Sequence, residues 1–170
     1  ENKINGGSKQ YYLCLKNSSI SVNTKIINKI LSSENKLKLN KVSTFVEFFK
    51  KINKLKFDLN NIIQSILNKN QNIHCYGAST KGNVILQYFK IDDKKIKFVA
   101  ERNKNKYGLY TPGTNIKIIS EKQSRSIKPN YYLVLPWHFK DEILKREKKI
   151  IKKGVKFIFP LPNIKVISKS

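Results

Sequence analysis

From Thr44 to Leu67 the apolar residues Phe45, Phe49, Ile52, Leu55, Leu59, Ile62 and Ile66 return every three or four positions. That spacing predicts one face of an amphipathic helix. Thr44 followed by Glu47 supplies a capping box at its start. A shorter amphipathic helix is predicted over Thr24–Leu31, and Gln10–Leu15 reads as a strand with no local partner. From residue 72 the pattern changes. Short β-prone runs at Ile73–Tyr76, Ile96–Ala100, Ile116–Ile119, Tyr131–Leu135 and Val155–Phe159 alternate with helical stretches at Lys81–Phe89 and Phe139–Lys152. Asp141 and Glu142 open the last helix and lysines close it, as the helix dipole favours.

Strands alternating with helices predict an α/β fold: a Rossmann-like, roughly five-stranded, mainly parallel sheet flanked by helices, with an N-terminal helical extension. The stretch between the second and fourth strands has little helical period, so that crossover is expected to be a loop or a single turn. The organisation expected is residues 1–22 as the end of a preceding domain or a linker strand, containing the turn at Gly6 and Gly7. Residues 23–70 then form the helical extension, and residues 71–170 the Rossmann-like domain.

The 170 residues have a hydrophobic fraction of 39% and are long enough to bury a core. They open at Glu1 and contain no methionine, so the chain is expected to be a piece of a longer protein. No apolar run approaches the roughly 20 residues that a membrane-spanning helix needs, and no membrane partner is expected. Cys14 and Cys75 lack a second Cys or a His at metal-ligand spacing. They are read as free thiols in a reducing, cytoplasmic compartment, with no metal in this chain.

The net charge of +24 raises the possibility of a lysine-rich nucleic-acid-binding module. Against it, only Arg102, Arg125 and Arg146 among the 35 basic residues are arginines. Nucleic-acid sites enlist Arg for bidentate contacts, whereas here lysines are spread among Asn and Ile. No nucleic-acid partner is therefore expected.

The candidate chemistry begins at the end of the first β-prone run of this domain. Gly77, Ala78, Ser79, Thr80, Lys81 and Gly82 form a loop of small residues that passes directly into a helix, with Asn83 in its first turn. Small residues admit an anion close to the backbone, and the helix N-terminus offers unpaired N–H groups. The loop lacks the second glycine of a dinucleotide fingerprint and the Gly-Lys-Ser/Thr of a P-loop. An NAD-binding oxidoreductase domain is thus a weaker alternative, and a tight turn without a ligand is the plain one.

Glu101, followed by Arg102 and Asn103, ends the second strand, where a carboxylate can accept hydrogen bonds from ribose hydroxyls or simply be solvated. The turn containing Gly113 and Thr114 offers amides and hydroxyls, expected near the same edge. Trp137 and His138 follow the fourth strand. Trp137 either stacks on a base or sugar or fills the edge of the core; His138 either meets phosphate or caps the next helix. His74, within a strand, is read as structural. No nucleophilic triad and no catalytic carboxylate pair is evident, so this chain alone is not expected to be catalytic.

Taken together, Tyr76–Asn83, Val99–Asn103, Lys106–Gly108, Thr111–Thr114, Lys128–Trp137 and Gly154–Pro162 resemble, in order and spacing, the C-terminal domain of the S-adenosylmethionine-dependent C-methyltransferases acting on nucleotide-linked deoxysugars. Ile4–Ser8 is similar to the segment that leaves the methyltransferase domain in such proteins. The resemblance implies a zinc-binding N-terminal domain, a middle domain that binds S-adenosylmethionine and carries the catalytic base, and this last domain anchoring the nucleotide-linked keto-sugar (dTDP- or similar). Gly77 to Asn83 would hold the diphosphate, Glu101 to Asn103 the nucleoside or sugar, and Gly113, Thr114, Trp137 and His138 would close the site. Glu101 stands where Asp is commoner in that family, and His138 where many members have Asn.

Overall fold

A computed structural model describes residues 8–169; the turn at Gly6 and Gly7 lies outside the described residues. These fall into two compact units divided between Ile52 and Asn53, a division inside a single long helix.

In the first unit, α1 (Thr24–Lys36) is started by Asn23, whose side chain accepts a hydrogen bond from the Ile26 amide, and it contains no buried residue. Gln10–Leu15 does not form the expected strand. Tyr12 and Leu13 are 85% and 96% exposed, and Gln10–Leu15 pairs with no strand among the described residues. Helix α2 (Val42–Asn68) begins two residues before the expected capping box. The Thr44 hydroxyl donates to the Lys38 carbonyl and Glu47 pairs with Lys50, so the box is not formed. Phe45 and Phe49 are exposed, and burial of the apolar face starts at Leu59, Ile63 and Ile66.

The second unit contains the sheet. Its strands are β1 (Ile73–Tyr76), β2 (Phe98–Glu101), β3 (Lys117–Ser120), β4 (Tyr131–Val134), β5 (Lys156–Phe159) and β6 (Lys165–Ile167), in the order β3-β2-β1-β4-β5-β6. The first five are parallel, and β6 pairs antiparallel with β5. β6 is not predicted by the sequence pattern. It is three residues long and largely exposed at the edge.

Between the strands lie α3 (Thr80–Phe89), α4 (Glu121–Ser126) and α5 (Lys140–Lys152). Helix α3 packs beside the second half of α2, where Asn60 donates to the Phe89 carbonyl and the Tyr88 hydroxyl to Asn53. The parallel strands are apolar on both faces, as a sheet covered on both sides requires. Cys75, Val99, Leu133 and Ile158 are fully buried. Both cysteines are free thiols, and burial raises the pKa of Cys75.

His74 is structural. It is 3% exposed, and its Nδ1 lies 2.8 Å from the Ser124 hydroxyl, which in turn meets the Tyr132 hydroxyl. Burial pulls the imidazole from 6.5 down to about 4. The folded state therefore favours neutral His74, and the unfolded chain takes up the proton first as pH falls. This contribution to stability is complete above pH 6.5 and is lost progressively between 6.5 and 4. From pH 7 to pH 5 the expected loss is about 2 kcal/mol. Urea titrations of wild type and His74→Gln at both pH values check this: the variant should lack that part of the pH dependence. Equal slopes in the two proteins would refute it.

Candidate functional site

The strand order reverses at β1, whose neighbours are β2 and β4. Open α/β sheets place ligands at the carboxyl ends of the strands beside such a reversal. Gly77 leaves β1 with φ +80°, and a Cβ there would lie 2.9 Å from the Pro136 ring. Only glycine suits both the conformation and the close approach. Ser79 then caps α3, its hydroxyl accepting from the Gly82 amide at 3.0 Å.

The loop is pinned from β2. Glu101 Oε2 accepts from the Ala78 amide at 2.6 Å, while Oε1 accepts from the Arg102 and Asn103 amides at 2.7 and 2.8 Å. Lys106 Nζ donates to the Ala78 carbonyl at 2.7 Å. Of the amides in the candidate cradle, that of Ala78 is thus already occupied by an internal carboxylate. The extra methylene of Glu over Asp supplies the reach. Asn103 is also engaged locally: its side-chain oxygen accepts from the Asn105 amide.

The structure divides the other candidates. Gly113 and Thr114 do not join the loop. They precede β3, beside Gln87 near the end of α3 and Asp93 ahead of β2, which is the amino edge of the sheet. The Thr111 and Thr114 hydroxyls are buried against each other and shape that turn. Trp137 is partly buried and packs against the aromatic cluster of Tyr76, Tyr132 and Phe157. His138, in the short turn that follows β4, is drawn below its ordinary pKa by burial and then by the charge of Lys81. It does not cap α5, which has no side-chain cap. Among the described residues, Asn83 Oδ1 and His138 Nδ1 are buried polar atoms without a hydrogen-bond partner.

A cleft of about 420 Å³ opens at the same carboxyl edge. It joins Gly77, Ala78, Ser79, Glu101 and Arg102 to residues that sequence reasoning missed: Tyr76, Glu121, Phe139, Glu142 and Arg146. Behind it lies a charged cluster. Buried Glu147 accepts from the Tyr76 hydroxyl at 2.8 Å, from Arg125 at 3.0 Å and from Arg146 Nε at 2.9 Å, while Glu121 also pairs with Arg146. Burial raises the pKa of Glu121, opposed by Arg125. The rarity of arginine in a lysine-dominated chain was the signal that could have found this place. Arg102 and Arg146 line the cleft, and Arg125 supports it.

These features define an open, doubly wound α/β domain with a crevice at the carboxyl ends of its central strands. The chain belongs to the C-methyltransferase C-terminal domain family, which matches residues 3–162. It is similar to the C-methyltransferase NovU of Streptomyces niveus, with 30% identity over 122 residues. The alignment covers 72% of this chain and 29% of that relative, so the chain spans less than a third of the longer protein. Among the described residues no helix is long and apolar enough to cross a membrane, and no His, Cys, Asp and Glu group could hold a metal ion.

Proposed function

We propose that this domain anchors a nucleotide-linked keto-deoxysugar for C-methylation by S-adenosylmethionine, with the donor and the catalytic base supplied by a preceding domain of the same polypeptide. The observation that carries this reading is the crevice at the strand reversal, where the β1–α3 loop, Glu101 and a cleft converge in a member of a C-methyltransferase family. Chemistry then follows from position. A base removes the proton beside the sugar's keto group, and the enolate takes the methyl, while the distant nucleotide supplies binding energy that holds the reacting carbon in place.

The loop itself is a poor donor site. It lacks the second glycine that lets a backbone approach a cofactor closely, and Glu101 occupies the Ala78 amide. The diphosphate belongs at the start of α3, with the helix N-terminus and the Lys81 ammonium as its counter-charges. A cytoplasmic setting fits such a substrate.

Calorimetric titration with dTDP and UDP tests the reading. Binding that Lys81→Ala weakens about tenfold or more is expected, since a charged hydrogen bond contributes about 1.5–3 kcal/mol. Wild-type affinity in the variant would remove the diphosphate from α3. Tight, salt-dependent binding to unrelated oligonucleotides in place of nucleotides would restore the lysine-rich nucleic-acid reading.

A further inference from the structure

The first unit carries apolar surface that its own fold leaves in water. In α1, Ile26, Ile27, Ile30 and Leu31 fall on one side of the helix, yet no residue of this 13-residue helix is buried. A helix of that length is marginal in water on its own, and most helices are stabilised by packing an amphipathic face. α1 has such a face and packs none of it away. The first turns of α2 repeat the pattern. Val42, Phe45 and Val46 recur at intervals of three and four, Phe48 lies beside them, and all four are exposed. Further along the same helix Leu59, Ile63 and Ile66 are buried. α2 thus keeps a core-like sequence over turns that remain exposed. Apolar stripes left open on this scale mark a surface that meets another body.

Charge narrows what that body is. Between residues 8 and 52 the only acids are Glu34 and Glu47, whereas Lys25, Lys29, Lys41, Lys50 and Lys51 stand on or beside the two helices. Apposing two copies through these faces would bring like charges together, in a chain whose net charge is already +24. Length points the same way. In the NovU relative the matched region is 29% of the protein, so more than two thirds of that polypeptide lies outside it. A domain joined directly to this amino-terminal unit meets its helices at an effective concentration that a free partner does not reach.

We propose that the apolar stripes of α1 and of the start of α2 form the docking face for the preceding domain of the same polypeptide, whose contacting surface is apolar with an acidic rim. The inference takes from the function proposed above only the existence of that domain.

Amide hydrogen exchange in the full polypeptide and in the 170-residue chain tests it. Residues 24–48 are expected to exchange about tenfold or more slowly in the full polypeptide, because a docked helix opens only with its interface. Ile27→Ser combined with Phe45→Ser should abolish that slowing. The same pair should leave the urea midpoint of the 170-residue chain unchanged, since both side chains are exposed. A lowered midpoint would mean that they pack within the chain itself and would overturn the docking face. Protection that weakens as salt is raised is expected; protection indifferent to salt would overturn the acidic rim. Equal exchange in the two proteins would overturn the docking face, with the nucleotide titrations still judging the anchoring role. Dimerisation of the 170-residue chain in sedimentation, lost in the double variant, would make the occupant a second copy. Binding to phosphatidylserine vesicles, lost in the same variant, would make it a membrane. Either result would overturn the assignment to the preceding domain. A natural polypeptide with no domain ahead of this one would end both this inference and the proposed supply of donor and base.

Discussion

Gly82→Ala is expected to destabilise the protein by about 3 kcal/mol, although alanine is the better helix former. On propensity alone the substitution would gain up to about 1 kcal/mol. The surroundings reverse the sign. A Cβ at Gly82 would lie 2.5 Å from Leu135 Cβ, 3.1 Å from Leu135 Cδ1 and 2.9 Å from the Ser79 hydroxyl. Neither neighbour can yield cheaply. Leu135 is fully buried, and its amide donates to the Tyr76 carbonyl at 3.0 Å, so its Cβ moves only with the backbone of the sheet. The Ser79 hydroxyl is the cap of α3 itself.

Helix α3 must therefore back away from the end of β4, which loosens its cap and the packing of Ile85 and Leu86 beneath it. Overpacking of this kind costs about 1–3 kcal/mol and occasionally more; two rigid contacts place it at the upper end. A urea unfolding midpoint shifted down with an unchanged slope is the expected result. Stability equal to wild type would mean that α3 is not seated on β4 as described. Because Lys81 precedes Gly82, the same variant should also lose nucleotide affinity, and this loss should persist at temperatures where the variant remains folded.

What the sequence disclosed follows from the scale on which each feature is determined. β1, β2, β4 and β5 were legible because a parallel strand buried on both faces is a continuous apolar run. Helix α3 was legible because its cap and its first turn are contiguous. Helix α4 was not, because Glu121–Ser126 is six residues long and buries only Ser124, so no apolar period exists to find. The strand expected at Gln10–Leu15 had the right composition but no strand partner among the described residues, and a strand is defined by its partner.

The site shows the same division. The β1–α3 loop and Glu101 were found at the edge where ligands bind, but that the Ala78 amide already engages Glu101 depends on the register of β1 with β2. The turn at Gly113 was assigned to the wrong edge. The chain returns along Gly108–Tyr110, antiparallel to β3, before turning. That return is too short and too polar to read. Phe139 and Arg146 lie two turns apart at the start of α5 and along it, and Glu121 on α4 meets them only through the sheet order.

The second large effect is expected at that meeting point. Glu147→Ala should cost about 3 kcal/mol in stability. Glu147 is 3% exposed and accepts from the Tyr76 hydroxyl and from two guanidiniums. Removing one partner of a fully buried ion pair costs about 3–5 kcal/mol, because the other charge is left unpaired. Here the arginine side chains are 43% and 35% exposed and can recover part of their hydration, which moves the loss to the lower end. The Tyr76 hydroxyl has less recourse. Its residue is 4% exposed, and an orphaned buried donor costs about 1–3 kcal/mol by itself.

Glu147→Gln keeps the shape and one acceptor, so about half the loss is expected, and Tyr76→Phe should cost about 1 kcal/mol. The double variant Tyr76→Phe with Glu147→Gln separates the hydrogen bond from the ion pair, since contacting residues are expected to be non-additive. The network also orients Arg146 at the cleft wall. A folded Glu147→Ala protein within about 0.5 kcal/mol of wild type, the range of an ordinary surface substitution, would show that α4 and α5 are joined by packing and not by this carboxylate.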